Sequence, residues 1–598
     1  MIKKDKKKIG GIEKTQIRVV EGYRPGAGMA PKQRTIKSFG YLEDQEDQEE
    51  FMNEVKAFDA RYKAEKKHQH IGVDMTAKMY DEENRKQNYG YKFLESIYNM
   101  LEIDKFIKKT VKKNQFRGNY ELTEILKLLV FTRILSPDSK RASFQIKNSF
   151  YGMKTEFELP NVYRALGVLS EMELEIQQHL NKMIKKKIGR DLSHAFYDVT
   201  NYFFEIDFPN SEDDLRKRGV SKEHRVDPIV AMGLFIDNNG IPVNMSLFPG
   251  NTSETLTLQP TMSDIKKSYK LGRLVVIADK GLNSSKNINA LINEGDGYVF
   301  SQIIKGKKGK RYHEKLFDDQ DWITNQSGTY RYKQFEEEYM GMDASGKKVV
   351  RKRNVLLYWN EAEAKRAKRK REEKLEKAMK SVNNNAYSIK KGVDEYTKEN
   401  IIDKQTGEIL SDALKKRSVD IEKAEQDARY DGYFCLITSE MDYNERKIRQ
   451  VYGSLWRIEQ SFRMLKSDLC ARPVFVSKNE HIRAHFLICF ISLLIIRIIQ
   501  HRMGQGALSS ERIARSLRAA TCRLTRGGIV HLDDVGGALA FKKRRNKEGF
   551  MVDTLQYTDQ DEIALDYQFI QQTFGMTCTN IYFKQELFNQ FLKNIARA

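Results

Sequence analysis

The sequence predicts an α/β protein: a mixed-sheet core interrupted by an insertion domain, with a helical region ahead of it. Two observations carry that expectation. Between His194 and Ile304, apolar runs of strand length alternate with helical patterns. Three acidic residues also stand at telling places. Asp198 in HAFYDVTNYFFE and Asp279 in LVVIADKGL end or interrupt runs that read as buried strands, and Glu459 in YGSLWRIEQSFRMLK lies on a helix far downstream.

Taken in order, residues 1–75 read as a β-hairpin followed by a charged helix. TQIRVVEGYRP and QRTIKSFGYL alternate apolar and polar residues, with Gly and Pro between them. Residues 85–190 read as helical, because YKFLESIYNMLEIDKFIKK and ELTEILKLLVFTRIL repeat apolar residues every three or four positions. Pro137 ends the second of these helices. The clusters KKTVKKNQFR and NKMIKKKIGR make this region a candidate DNA-end binder; the alternative is a solvated charged face on a structural bundle.

Residues 191–304 form the first part of the core. SHAFYDVTNYFFE is one strand, and PIVAMGLFIDNNGIPVNMSLFPG holds two more around Asn238, Asn239 and Gly240, a tight-hairpin signal. A helix begins near Glu254. GRLVVIADKG is a fourth strand, apolar enough for burial on both faces; SSKNINALINEG is a helix and GYVFSQII a fifth strand. Strand, strand, strand, helix, strand, helix, strand is the order of an RNase H-like fold. Residues 305–428 interrupt it with strand-like pieces and the charged helix AEAKRAKRKREEKLEKAMKSV, and this insert is too long for a loop, so a domain is expected. Residues 429–505 return to the core through DGYFCLITS and the Glu459 helix. Residues 506–598 form a mixed C-terminal region containing FKKRRNK.

The composition narrows the partners. A formal net charge of +22 on 598 residues, with a pI near 9.4, points to a polyanion, most simply DNA or RNA; a basic surface without a partner is the alternative. The five cysteines form no C-x-x-C pair, which argues against a disulfide framework or zinc ribbon and fits a reducing cytoplasm. The basic start MIKKDKKKIGGIEKTQ lacks the apolar stretch of a signal peptide. The run Phe486 to Ile496, followed by Arg497, is shorter than the roughly 18 residues of a membrane span and reads as a core helix, so no membrane partner is expected.

Phosphodiester cleavage needs one oxygen deprotonated and another stabilised as it leaves, and two metals roughly 4 Å apart can do both. Hard cations such as Mg²⁺ or Mn²⁺ take oxygen ligands, which suits Asp198, Asp279 and Glu459 as both catalytic and metal-binding residues. Each acid also has an ordinary reading: a strand-exit cap, a turn-starting Asp before Lys280 and Gly281, and an exposed helix acid. Other patterns carry less. KGKKGK lacks the phosphate-loop spacing, and HEKLF is not a zinc motif. Tyr358 and Trp359 fit a core role better than base stacking.

With these pieces in hand, the chain resembles bacterial insertion-sequence transposases of the DDE class, in the subgroup with a β-rich insertion and a Y-R-E-K signature. DVTNYFF is similar to the first-Asp strand, PGNTSE to the third-strand exit, ADKG to the second-Asp motif, and RPVFVSKNEHIRAHFLICFISLL to the segment after the signature. Tyr452, Glu459 and Lys466 occupy the signature's Tyr, Glu and Lys positions, whereas Leu455 stands where Arg is expected. Counted at 100° per residue, Tyr452, Leu455, Glu459, Arg463 and Lys466 share one helical face, so Arg463 is the candidate substitute for the missing Arg; its alternative is a salt bridge to Glu459.

The resemblance implies an enzyme that binds the inverted ends of its element with Tyr452, Arg463 and Lys466 on DNA. It implies two Mg²⁺ or Mn²⁺ ions, attack by water, and then attack of the freed 3′-OH on target DNA. It further implies a homodimer on paired double-stranded ends, in a bacterial cytoplasm at the nucleoid. A nuclease or resolvase that does not join ends, and a non-catalytic DNA-binding relative, are the rival readings.

Overall fold

A computed structural model describes residues 2–10, 12–23, 32–65, 85–114, 121–205, 213–219, 227–269, 272–383, 397–401, 415–525, 527–535, 540–545, 551–556, 559–576, 578 and 580–597. It divides into two compact units, Met1–Asp81 and Glu82–Ala598.

In the first unit, strands β1 (Ile2–Ile9), β2 (Ile12–Tyr23) and β3 (Lys32–Tyr41) form one antiparallel sheet, followed by helix α1 (Gln48–Glu65). The expected hairpin is therefore β2–β3, with a third strand that the sequence conceals. Apart from Ile2 and Ile9, IKKDKKKI is all Lys and Asp and offers no apolar face to read; its pairing to β2, with an Arg18–Asp5 ion pair across the ladder, makes it a strand. Ile17, Val19 and Val55 are the small buried core of this unit.

The second unit opens on the two-residue strand β4 (Gln87–Asn88) and six helices: α2 (Tyr91–Met100), α3 (Ile103–Lys113), α4 (Leu122–Leu135), α5 (Lys140–Gln145), α6 (Leu159–Glu171) and α7 (Glu173–Lys187). Next come β5 (His194–Phe203), β6 (Ile229–Ile236), β7 (Pro242–Pro249), α8 (Leu258–Tyr269), β8 (Val275–Ala278), α9 (Ser285–Asn293) and β9 (Gly297–Ser301), the element order expected from sequence. Short helices α10 (Gly306–Gly309) and α11 (His313–Phe317) lead to β10 (Ile323–Thr324), β11 (Tyr330–Met342), β12 (Lys348–Asn360) and α12 (Glu361–Asn383). Strands β13 (Thr397–Ile401) and β14 (Lys415–Val419), helix α13 (Ile421–Ala428) and strand β15 (Tyr433–Thr438) bring the chain back to α14 (Glu445–Gly453), α15 (Trp456–Arg463), α16 (Asn479–Met503) and α17 (Ser510–Ala519).

One nine-stranded sheet runs through the unit in the order β10-β11-β12-β15-β9-β8-β5-β6-β7. β8 is parallel to β5 and β9, and the other pairs are antiparallel. Strand alternation sorts its side chains into two cores. Phe196, Tyr202, Val275, Ile277 and Val299 pack beneath helices α15 and α16. Tyr197, Val199, Val276, Ala278 and Phe300 pack against α8, α9 and α11 on the opposite face. With both faces covered, β6 and β8 are buried along their whole length, which explains their unbroken apolar sequence.

The inserted residues 305–428 do not stand apart from this sheet as a separate domain in their described part. Strands β11 and β12 are 13 residues each and continue the sheet through β15, with Leu356 opposite Leu436. Satellite elements α12, β13, β14 and α13 gather around Ala378 and Ala424. The sequence conceals this continuity because the partner strand β15 lies far downstream of β12. Tyr358 and Trp359 are half-buried: Tyr358 stacks on exposed Phe434 at 5.0 Å and the Trp359 indole donates to the Asp431 carbonyl, so both lie at the margin of the core rather than within it.

Helix α16 is longer than the apolar run suggested. It is 25 residues, long and apolar enough to cross a membrane, yet almost entirely buried within the protein among α2, α4 and α6.

Candidate active site

Asp198 and Asp279 meet because of strand register. On the parallel pair β5–β8, His194 lies opposite Val275 and Phe196 opposite Ile277, so the next step in register sets Asp198 opposite Asp279. Neighbouring strands are about 4.8 Å apart. Alternation turns both side chains to the face covered by α15 and α16, since Phe196 and Ile277, two residues earlier, belong to that core. Both acids are half-buried.

Each carboxylate is anchored. Asp198 accepts from the Val199 amide at 2.7 Å. Asp279 accepts from the Ser301 hydroxyl on β9 at 2.8 Å and from the Tyr452 hydroxyl at 3.2 Å. Burial, and after it the Asp279 charge, pushes the Tyr452 phenol well above its ordinary range, so it stays protonated and acts as a donor.

Glu459 is carried across this face by two short helices. α14 packs on β8 and β9 and α15 on β5 and β6, so their junction crosses the strands that bear the acids. That junction corrects the single regular helix assumed from sequence. Around Gly453 and Leu455 the backbone tightens: the amides of Leu455, Arg457 and Ile458 bond to carbonyls three residues back. After Arg463 a π-turn, Met464–Asp468, widens it again. A 100° count therefore fails across the signature. Leu455 is 8% exposed and packs in the core, whereas Glu459 and Arg463 are exposed. Neither Glu459 nor Arg463 has an ion-pair partner among the described residues, so the salt bridge weighed as Arg463's alternative role is not formed. Lys466 lies on the π-turn with its ammonium 5.6 Å from the Tyr202 ring centre.

Three contributors escaped the sequence reading. Ser301 is one. Glu254 is another: its Oε2 lies 2.7 Å from where a Cβ on Gly281 would sit, so the glycine of ADKG leaves room for this carboxylate beside the turn two residues after Asp279. Its signal was present, since it ends the PGNTSE stretch. The third is Arg497, buried on α16, which donates to the Arg457 carbonyl at 3.0 Å, the Ser461 hydroxyl at 2.8 Å and Gln460 Oε1 at 2.9 Å. It clamps α15 on either side of Glu459. A lone Arg closing an apolar run was the hint.

The donor set is oxygen throughout: two adjacent carboxylates, with Ser301 and Tyr452 hydroxyls on one of them. Such a set suits a hard divalent cation. Among the described residues, no three His, Cys, Asp or Glu side chains converge closely enough to hold a metal, so Glu459 stands outside the Asp198–Asp279 pair in this structure.

Comparison with known proteins agrees with the motifs. The model for the transposase DDE domain matches residues 212–495, which include Asp279 and Glu459 and begin just after Asp198. The model for the IS1634 family transposase N-terminal domain matches residues 2–70. No curated protein matches the chain. Among solved structures, the Mos1 transposase paired-end complex with left transposon end is 10% identical, with 43% of this chain and 68% of that chain covered, at a TM-score of 0.13. The two family models together take in more than half of the sequence, and the chain belongs to the insertion-sequence transposases of the DDE class.

Proposed function

We propose that the chain binds the inverted ends of its element, cuts them at Asp198, Asp279 and Glu459, and joins the freed 3′-OH ends to target DNA. One observation carries this reading: a carboxylate on β5 and another just past the end of its parallel neighbour β8, where the register continued by one step brings them opposite each other, with the helix pair α14–α15 that leads to Glu459 packed over these strands. The strand order β7-β6-β5-β8-β9 supports an RNase H-like core.

Asp198 and Asp279 would share a divalent cation, with Glu459 as the third ligand that the family resemblance implies. Two Mg²⁺ or Mn²⁺ ions, when bound, supply activation of the attacking oxygen and stabilisation of the leaving one. The protein's own groups do the rest. Ser301 and Tyr452 fix the Asp279 carboxylate through two hydrogen bonds. Arg497 fixes the turn of α15 that presents Glu459. Trp456, 54% exposed and one helical turn before Glu459, offers a ring on which an unpaired base can stack. Residues 85–190 and the basic surface bind DNA phosphates, and two chains act on paired ends in the bacterial cytoplasm. The domain limits 1–75, 85–190, 191–304, 305–428, 429–505 and 506–598 belong to this reading, with β10–β12 of the insertion sharing the catalytic sheet.

The test is a strand-transfer assay on DNA carrying the element's inverted repeats, with Mg²⁺ or Mn²⁺. Joined products are expected, and none in EDTA. Cut but unjoined ends would identify a nuclease or resolvase; end binding without cutting would identify a non-catalytic relative.

Arg463 remains the candidate phosphate ligand, since it is exposed beside Glu459 and unpaired among the described residues. Arg463→Ala should slow single-turnover cleavage about tenfold or more, equivalent to at least about 1.4 kcal/mol. Leu455→Arg should not rescue it, because that site is in the core and a guanidinium there would be buried without a partner. A wild-type rate for Arg463→Ala would remove Arg463 from the site.

A further inference from the structure

A large cleft lies at the other end of the strands that lead to Asp198 and Asp279. Helices α3 and α7 and the segments leading into β5 and β8 enclose a cleft of about 990 Å³. Its lining includes Ser193, just before β5, and Leu274, just before β8. Each is five residues from its catalytic carboxylate, about 16 Å along an extended strand. A phosphate held here is therefore not the one being cut.

The cleft has an aromatic floor and a basic rim. Phe106 of α3 and His179 of α7 stack at 4.4 Å between centroids, nearly parallel. Burial holds His179 below the usual imidazole range and its Nε2 meets the Leu101 carbonyl at 2.8 Å, so the ring is uncharged at neutral pH. Lys105, Lys109 and Lys113 follow one another every four residues along α3, in steps of about 6 Å on a single stripe. That step resembles the separation of successive phosphates along a strand. Lys182 and Lys185 of α7 also line the cleft. Lys109, Lys113, Lys182 and Lys185 are exposed and have no ion-pair partner among the described residues, whereas the acids on the rim are only Glu102 and Glu175.

Deeper in, two buried polar groups are incompletely satisfied. Arg190, whose side chain is 3% exposed, bonds Asp237 through Nη1 but leaves Nε without a partner, and Asn181 Oδ1 is likewise unpartnered among the described residues. Both residues line this cleft.

We propose that this cleft binds a single polynucleotide strand, its phosphates on the lysines of α3 and α7, as a holding site separate from the carboxylates. A volume of about 990 Å³ holds a few nucleotides rather than a length of duplex, and lysines along a groove with rings at its base are how sequence-tolerant strand binders work. The proposal takes only the identity of its ligand, DNA, from the function proposed above.

The test uses the full chain and a fluorescent single-stranded oligonucleotide of arbitrary sequence, followed by anisotropy across a salt series. The variant K109Q/K113Q/K182Q/K185Q removes four exposed charges. A control, K267Q/K286Q/K584Q/K593Q, removes four exposed lysines outside both the cleft and the inserted hairpin. The cleft variant is expected to bind at least tenfold more weakly, and its log–log salt slope to fall by about 0.7 for each phosphate that is no longer neutralised. Circular dichroism should show both variants folded as wild type. Equal weakening in the control, unchanged binding in the cleft variant, or loss confined to duplex DNA would each overturn the proposal. Because the readout is binding, it holds even if no DNA end is ever cut: failure of strand transfer would strike the proposed reaction and leave this site standing.

Discussion

Asp198→Ala and Asp279→Ala should each reduce DNA cleavage at least about a thousandfold, a loss of about 4 kcal/mol of transition-state stabilisation. The β5–β8 register, continued one step, sets the pair opposite each other near the centre of the sheet. End binding should change less than about twofold, since phosphates are gripped by Lys and Arg rather than by carboxylates. Asp279→Asn is the more discriminating change. It keeps an oxygen for Ser301 and Tyr452 but loses the charge, so a folded, DNA-binding and inactive protein is expected. Single-turnover cleavage and gel shifts on the same preparations measure both quantities. Near-normal cutting by either alanine variant would take that residue out of the active site.

The largest effect on stability is expected at Asp237, which is fully buried in the β6–β7 turn. Its Oδ1 accepts from the amides of Asn239 and Ile241 at 3.0 and 2.9 Å, and its Oδ2 from Arg190 at 3.0 Å. Burial raises the Asp237 carboxyl and lowers the Arg190 guanidinium from their ordinary ranges, in each case outweighing the attraction of the partner. The ion pair therefore adds little compared with an apolar pair of the same shape, but removing one half leaves the other charged and dry. Asp237→Ala should cost about 3 to 5 kcal/mol. The turn is also a docking point for the signature helix, because the Arg457 guanidinium donates to the Asn238 carbonyl. Urea unfolding compares the variant with wild type, and a loss below about 1 kcal/mol would mean that water reaches Arg190.

The strands of the sheet's centre were legible because burial on both faces forces unbroken apolar runs, as in IVAMGLFI, and because Asn238, Asn239 and Gly240 mark their hairpin; Gly240 adopts φ 78° there. The positions of Asp198 and Asp279 were legible for the same reason, each being an acid against an apolar run. The path of the signature helix was not. WRIEQSFR continues the apolar period of the preceding helix, and nothing local reports that three amides tighten before it and a π-turn follows. Leu455 was thus placed with Glu459 when its side chain belongs to the core. Strand β1 was hidden because its stability comes from pairing rather than from an apolar face, and the Arg497 clamp because side-chain bonds between α16 and α15 leave no periodic trace. The side chains of the basic run Lys542 to Arg545 lie outside the described residues.

The union of the inserted hairpin with the nine-stranded sheet fixes its distance from the strands that carry the two Asp residues. From β8 to β12 the ladder passes through β9 and β15, three spacings, or about 14 Å, that hydrogen bonds hold fixed. A loosely tethered module would grip DNA at a variable offset from the cut. Under the proposed function, a hairpin woven into the sheet would meet DNA only at one fixed offset from the cut. Lengthening the loop between β11 and β12 would alter how far the arm reaches, but shifting where the DNA is measured would require adding or removing a strand.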